Sequence, residues 1–163
     1  SDIAALKAGD MVLLSGVVYT ARDAAHKRLA ELIRKGRKLP MPIREQTLYY
    51  TGPTPAPKGR AIGSCGPTTS SRMDEFTPVL LKAGLKAMIG KGNRSDEVAK
   101  AIRKYKAVYF LALAGCGALL SRYVKKAEVI AYKDLGTEAI RRLEIRDFPV
   151  FVGVDSRGRN IFR

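Results

Sequence analysis

Residues 107–114, AVYFLALA, are an unbroken apolar run of strand length, stopped by Gly115-Cys116-Gly117. A strand with one face in water alternates apolar and polar side chains, so an unbroken run reads as a strand covered on both faces. Such a strand needs packed layers on either side, and segments with helical periodicity elsewhere in the chain can supply them. At 163 residues, 46% of them hydrophobic, the chain is long enough to bury one substantial core. A single domain over residues 1–163 is expected.

The other segments alternate between strand and helix. Residues 11–14 and 17–19 read as extended, with Ser15-Gly16 expected to interrupt them. Thr20 and Asp23 have the S/T-x-x-D/E spacing of a capping box and predict a helix over 21–35. Leu29, Leu32 and Ile33 form its apolar face, and Gly36 suits the position just past its end. Arg22 and His26, four apart, can project from one face. Residues 47–51 read as a strand, 52–59 as a loop, 86–89 as a strand and 90–93 as a turn. Ser95 opens a predicted helix to about 105, with Val98, Ala101, Ile102 and Tyr105 inward. A short helix over 118–124 and a strand over 128–132 follow, then strands at 148–154 and 160–162 joined by a turn at 155–158. The pattern predicts an α/β fold with a mixed sheet, antiparallel at its end.

One stretch carries a candidate site: Gly66-Pro67-Thr68-Thr69-Ser70-Ser71-Arg72-Met73-Asp74. Gly66-Pro67 punctuates the chain, and Ser71 with Asp74 has capping-box spacing. Phe76, Val79, Leu80 and Ala83 then recur at helical spacing, which predicts a helix from near Arg72. A hydroxyl-rich turn leading into a helix N-terminus is an anion site, because free N–H groups and the helix dipole share a focus. Arg72 adds a planar fork that suits a carboxylate.

The formal net charge is +15. Nucleic acid, an acidic protein and a small polyanion are the partners such a charge would suit, and a heat-adapted surface is another source of it. The basic residues are scattered, and neither an RNA-binding aromatic signature nor zinc-finger spacing is present, which argues against a basic RNA-binding module. Cys65 and Cys116, far apart in sequence, form no metal or redox motif. No apolar run is long enough for a transmembrane helix, and no basic-then-apolar leader opens the chain, so a cytoplasmic setting is expected.

Four segments together resemble a known family: GDMVLLSGVVYTARDAAHKRL (9–29), IGSCGPTTSSRMD (62–74), IGKG (89–92) and AGCGALL (114–120). The chain is similar, over almost its whole length, to the β subunit or C-terminal domain of the iron–sulfur hydro-lyases, class I fumarate hydratase and L-tartrate dehydratase. The resemblance implies a swivelling β/β/α domain and the reversible hydration of fumarate to (S)-malate. It implies a 4Fe–4S cluster carried by a partner α subunit, since such clusters take three or four thiolates. An α2β2-type heteromer, inactive as the β chain alone, is expected. Matching motif positions makes Arg22, Arg72 and Lys91 carboxylate ligands, with Gly66 and Thr69 beside the substrate. Thr68 matches the base that exchanges a proton with the substrate carbon, and His26 is a second catalytic candidate, as a shuttle or an orienter of Asp23 or Arg22. Asp23 and Asp74 read as caps and Cys65 as a buried thiol.

Overall fold

The computed structural model describes residues 2–163. A 3-10 turn, Asp2–Ala5, precedes β1 (Met11–Thr20) and α1 (Asp23–Arg34). Then come β2 (Thr47–Tyr49), a 3-10 turn Ser70–Met73, α2 (Thr77–Lys82), β3 (Ala87–Gly90), α3 (Asp96–Tyr105) and β4 (Val108–Leu111). The remainder is α4 (Gly117–Leu120), β5 (Val124–Ala131), a 3-10 segment Lys133–Glu138 and β6 (Ile140–Val154). Strands β1, β2, β3 and β4 run parallel in that order, and β6 pairs antiparallel with both β4 and β1, which closes the sheet on itself. β5 lies antiparallel on the outer side of β6.

The closed sheet separates two cores. Inside it meet Val18, Tyr49, Ile89, Val108, Phe110, Leu143, Phe148 and Val152. Outside, Leu48, Met88 and Tyr109 of the same strands meet Leu29 of α1, Leu80 and Leu81 of α2 and Val98 and Ile102 of α3. Successive residues of β4 thus enter opposite cores, as its unbroken apolar run predicts. Each fully buried Leu or Ile contributes about 1.5–3 kcal/mol to holding the helices on the sheet.

Local signals decide the element ends, with some departures from expectation. Ser95 Oγ accepts from Val98 N and caps α3 as predicted. α1 ends as predicted in paired hydrogen bonds, Gly36 N to Ile33 O and Arg37 N to Leu32 O. Its start differs: Thr20 is the last residue of β1, its hydroxyl donating to Ala139 O and accepting from Arg141 N. The cap comes from across the fold, Ala24 N donating to Glu138 Oε1 at 3.2 Å. Ser15-Gly16 does not break β1; the register shifts there through a bulge whose extra residue lies on β6, where Asp147 N donates to Ser15 Oγ. The predicted helix from Arg72 is one 3-10 turn, and α2 begins only at Thr77, with Pro78 in its first turn. The turn at 155–158 forms, held by Asp155, but residues 160–162 contribute one bridge, Asn160 with Val154, rather than a strand.

Two close-packed points are tied to the parallel edge. A Cβ on Gly90 would overlap Ser70 Oγ and lie 2.8 Å from Tyr50 Cδ2. Gly90→Ala should therefore cost about 1–3 kcal/mol by overpacking, read by urea unfolding; an unchanged midpoint would show that Ser70 moves aside freely.

His26 is fully buried, its ring edge-on to Tyr50 at 5.1 Å. Its Nδ1 lies 2.8 Å from Arg22 O, a group that can only accept, so Nδ1 carries the proton. Burial pulls its pKa from 6.5 to about 4, with the Arg22 carbonyl opposing and Arg94 assisting. Between those values the unfolded chain binds a proton that the folded chain refuses, so His26 makes stability fall as pH drops from 6.5 to 4. The full effect is about 3 kcal/mol. In urea titrations His26→Asn should be less stable at pH 7 but show a flatter decline across this window. An equally steep decline would contradict a neutral buried imidazole.

Candidate functional site

In α/β sheets ligands gather beyond the carboxyl ends of parallel strands. Here β1, β2, β3 and β4 end at one edge, followed by Arg22, Gly52, Lys91 and Gly117 respectively. The 66–72 segment crosses all these ends. Thr51 Oγ1 donates to Gly66 O at 2.8 Å, Thr68 N to Tyr50 O at 2.6 Å and Ser70 N to Lys91 O at 2.9 Å, and Thr69 bridges Lys91. Gly117 lies so close that a Cβ there would come within 2.8 Å of Gly66 N. The small residues of the two glycine-bearing motifs thus let two backbones touch.

Arg22 stands at the head of α1 with its side chain across Gly52, where a Cβ would meet Arg22 Cδ and Nη1 at 3.0 Å. Its Nε is buried with no hydrogen-bond partner. Next to it, Asp23 Oδ2 accepts from Arg72 Nε at 2.9 Å while Asp23 Oδ1 is buried and unpartnered. Arg72 is half-exposed, and Lys91 forms no ion pair among the described residues. Thr68 is partly buried, and its hydroxyl has no protein partner among the described residues. The sequence-predicted residues Arg22, Gly66, Thr68, Thr69, Arg72 and Lys91 therefore share one edge, with three cations facing one carboxylate. His26 sits beneath them, its side chain turned into the core rather than onto a shared face with Arg22.

Residues 66–74 do not offer the free N–H groups and helix N-terminus that their sequence predicts. Thr68 N and Ser70 N are spent on backbone carbonyls, and a single 3-10 turn has no dipole of consequence. The site's positive charge comes from side chains instead. The edge is open, whereas cavities of about 630 Å³ and 440 Å³ lie elsewhere, around Arg60, Lys125 and Arg142 and around Arg60, Ser64 and Arg122.

A metal cluster finds no home in these residues. Burial pushes the Cys65 thiol up to about 11, so it stays protonated, and among the described residues no three His, Cys, Asp or Glu side chains group to hold a metal ion.

Sequence reasoning missed Arg94. Its side chain is wholly buried, Nε donating to Asp74 Oδ1 at 2.7 Å and Nη2 to Thr77 Oγ1 at 2.8 Å. Asp74 Oδ2 also accepts from Ser95 N, so Asp74 does not cap the 3-10 turn it follows. Desolvation works against the guanidinium charge, but Tyr50 and Asp74 outweigh it and hold the pKa above its ordinary value. In sequence Arg94 is one more basic residue in a polar turn; no local pattern marks it.

A family model described as Fumarase C-terminus matches residues 1–163. Fumarate hydratase 1, mitochondrial, of Leishmania major is 42% identical over 151 residues, 91% of this chain and 28% of that protein. Fumarate hydratase class I, anaerobic, of Escherichia coli is 41% identical over 152 residues, 92% of this chain and 28% of that protein. The putative L(+)-tartrate dehydratase subunit beta of Methanocaldococcus jannaschii is 38% identical over 167 residues, 99% of this chain and 86% of that protein. The chain thus spans little more than a quarter of the fumarate hydratases it matches and most of the tartrate dehydratase subunit. With a match that runs its full length, the chain belongs to the Fumarase C-terminus family, whose members include hydro-lyases of both kinds.

Proposed function

We propose that this chain is the β subunit of a class I fumarate hydratase, contributing the anion-binding half of a site for the reversible hydration of fumarate to (S)-malate. The observation that carries the reading is the buried, unpartnered Nε of Arg22 beside Arg72, with Lys91 on the adjoining loop. A buried charged donor left without an acceptor is costly, and a carboxylate ligand would complete it. Each charge-assisted hydrogen bond to a dianionic substrate contributes about 1.5–3 kcal/mol. The competing Asp23–Arg72 pair is half-exposed and worth about 0–1 kcal/mol, so exchanging Asp23 for a substrate carboxylate is favourable.

Each residue then has a task on its own atoms. Arg22 and Arg72 orient the carboxylates, and Lys91 adds a third cation. Thr68 accepts or relays the proton at the carbon next to a carboxylate; Arg72 and Lys91 would stabilise the negative charge this requires. His26, neutral near pH 7, holds the Arg22 carbonyl and so the direction of the Arg22 side chain. Because the two cysteines do not fit a 4Fe–4S cluster, we assign that cluster to a partner α subunit, in a cytoplasmic α2β2-type heteromer. Relatives named as beta subunits and matched over most of their length support a separate partner. The same relatives support a second reading, L(+)-tartrate as substrate, with the same cations on its two carboxylates.

In the complex assembled with its cluster-bearing partner, Arg72→Ala should lower kcat/KM for fumarate or L(+)-tartrate about 100-fold or more. Its unfolding free energy from urea titration should change by less than about 0.5 kcal/mol, as for other surface substitutions. Full activity on whichever substrate the wild-type complex uses would remove Arg72 from the site.

A further inference from the structure

We infer that Arg94 is a positioning residue: one buried guanidinium holds in register three edge segments, 50–52, 68–74 and 91–93, the last two of which carry Thr68, Arg72 and Lys91. The inference rests on the reading of this edge as the substrate site. Besides Thr77 of α2, three partners of Arg94 lead to different edge segments. Asp74, bound to Nε, follows directly on the 3-10 turn that bears Arg72. Tyr50, whose hydroxyl lies 3.3 Å from Nη1, precedes Thr51-Gly52, and its carbonyl receives Thr68 N. Tyr109 stacks on the guanidinium at 4.8 Å; its hydroxyl donates to Gly92 O at 2.8 Å and pairs with the Ser70 hydroxyl at 2.7 Å. The loops at 50–52, 68–74 and 91–93 therefore hang on one cation and the two rings that enclose it.

An apolar side chain of similar volume would fill the same space, and replacing buried ion pairs in that way is often neutral or stabilising. Core packing alone therefore gives no reason for a charge here. A planar fork does, because it meets Asp74, Thr77 and Tyr50 at fixed angles that neither an aliphatic chain nor the point charge of lysine reproduces. The 3-10 turn at Ser70–Met73 is too short to hold Arg72 by its own hydrogen bonds, so its position must be imposed from below.

Two variants test the assignment. Arg94→Lys keeps the charge and loses the fork; Tyr109→Phe keeps the stacked ring and removes only the hydroxyl, so it folds even if the first does not. In both variants the amides of Thr68 and Ser70 should exchange with solvent about tenfold faster or more, while those of α1 and β6 keep wild-type rates. In the assembled complex, at a temperature where melting curves show the variants folded, kcat/KM should fall about 10–100-fold, the scale of a misplaced catalytic group. A merely structural role would speed exchange evenly and leave the folded fraction fully active. Either that pattern, or faster edge exchange with undiminished activity, would overturn the inference. Were the wild-type complex neither to hydrate fumarate nor to dehydrate tartrate, the reading of the site would fail. The exchange pattern alone would then decide whether Arg94 holds these segments.

Discussion

The structure depends on the closure that β6 makes between β1 and β4. Four parallel strands by themselves would leave β1 and β4 as open edges, each a row of unpaired backbone groups. β6 pairs through Phe151 with both Met11 of β1 and Leu111 of β4, and its fifteen residues reach back to Ile140 beside β5. Closure bends the carboxyl ends of the parallel strands round a common rim. The segments after β1 and β4, far apart in an open sheet, both come against the 66–72 segment, Asp23 at Arg72 on one side and Gly117 at Gly66 on the other.

On that rim the chain gathers charge instead of neutralising it. Among the described residues, Asp23 is the one carboxylate paired with the cations Arg22, Arg72 and Lys91, in a protein already carrying +15. Like charges gathered at one edge raise the energy of the free protein and lower that of a complex with an anion, and they draw anionic ligands in from solution. The two arginine–aspartate pairs nearby show the contrast between function and framework. Arg72–Asp23 is half in water and easily exchanged, whereas Arg94–Asp74 is shut away, and breaking it would leave an uncompensated buried charge.

Much of this was legible in the sequence where the physics is local. The run at 107–114 announced a strand covered on both faces, which forms over Val108–Leu111 and leaves Leu113 exposed, and Ser95 announced a helix start and Gly36 a helix end, because each reports on its immediate neighbours. The six edge residues were legible through motif resemblance, and the fold brings them to one rim. What the sequence hid is what the tertiary structure decides. Thr20 and Ser71 have capping-box spacing, yet β6 claims the Thr20 hydroxyl and Asp74 turns to Arg94 and Ser95. Residues 140–147 bury Leu143 and Ile145 on one face and carry Arg142 and Glu144 on the other, so charges masked a half-buried strand. Arg94 could not be found at all, since its partners lie as far off as Tyr50, forty-four positions away.

The central claim is that the carboxyl rim of the parallel strands binds the substrate's carboxylates. A crystal structure of the chain assembled with its cluster-bearing partner and soaked with malate or L(+)-tartrate tests it most directly. The account predicts carboxylate oxygens about 2.7–3.2 Å from the Arg22 and Arg72 guanidinium nitrogens, with Arg72 released from Asp23. Density for the dicarboxylate at the Arg60–Arg142 cavity instead, with the Arg72–Asp23 pair intact, would contradict it.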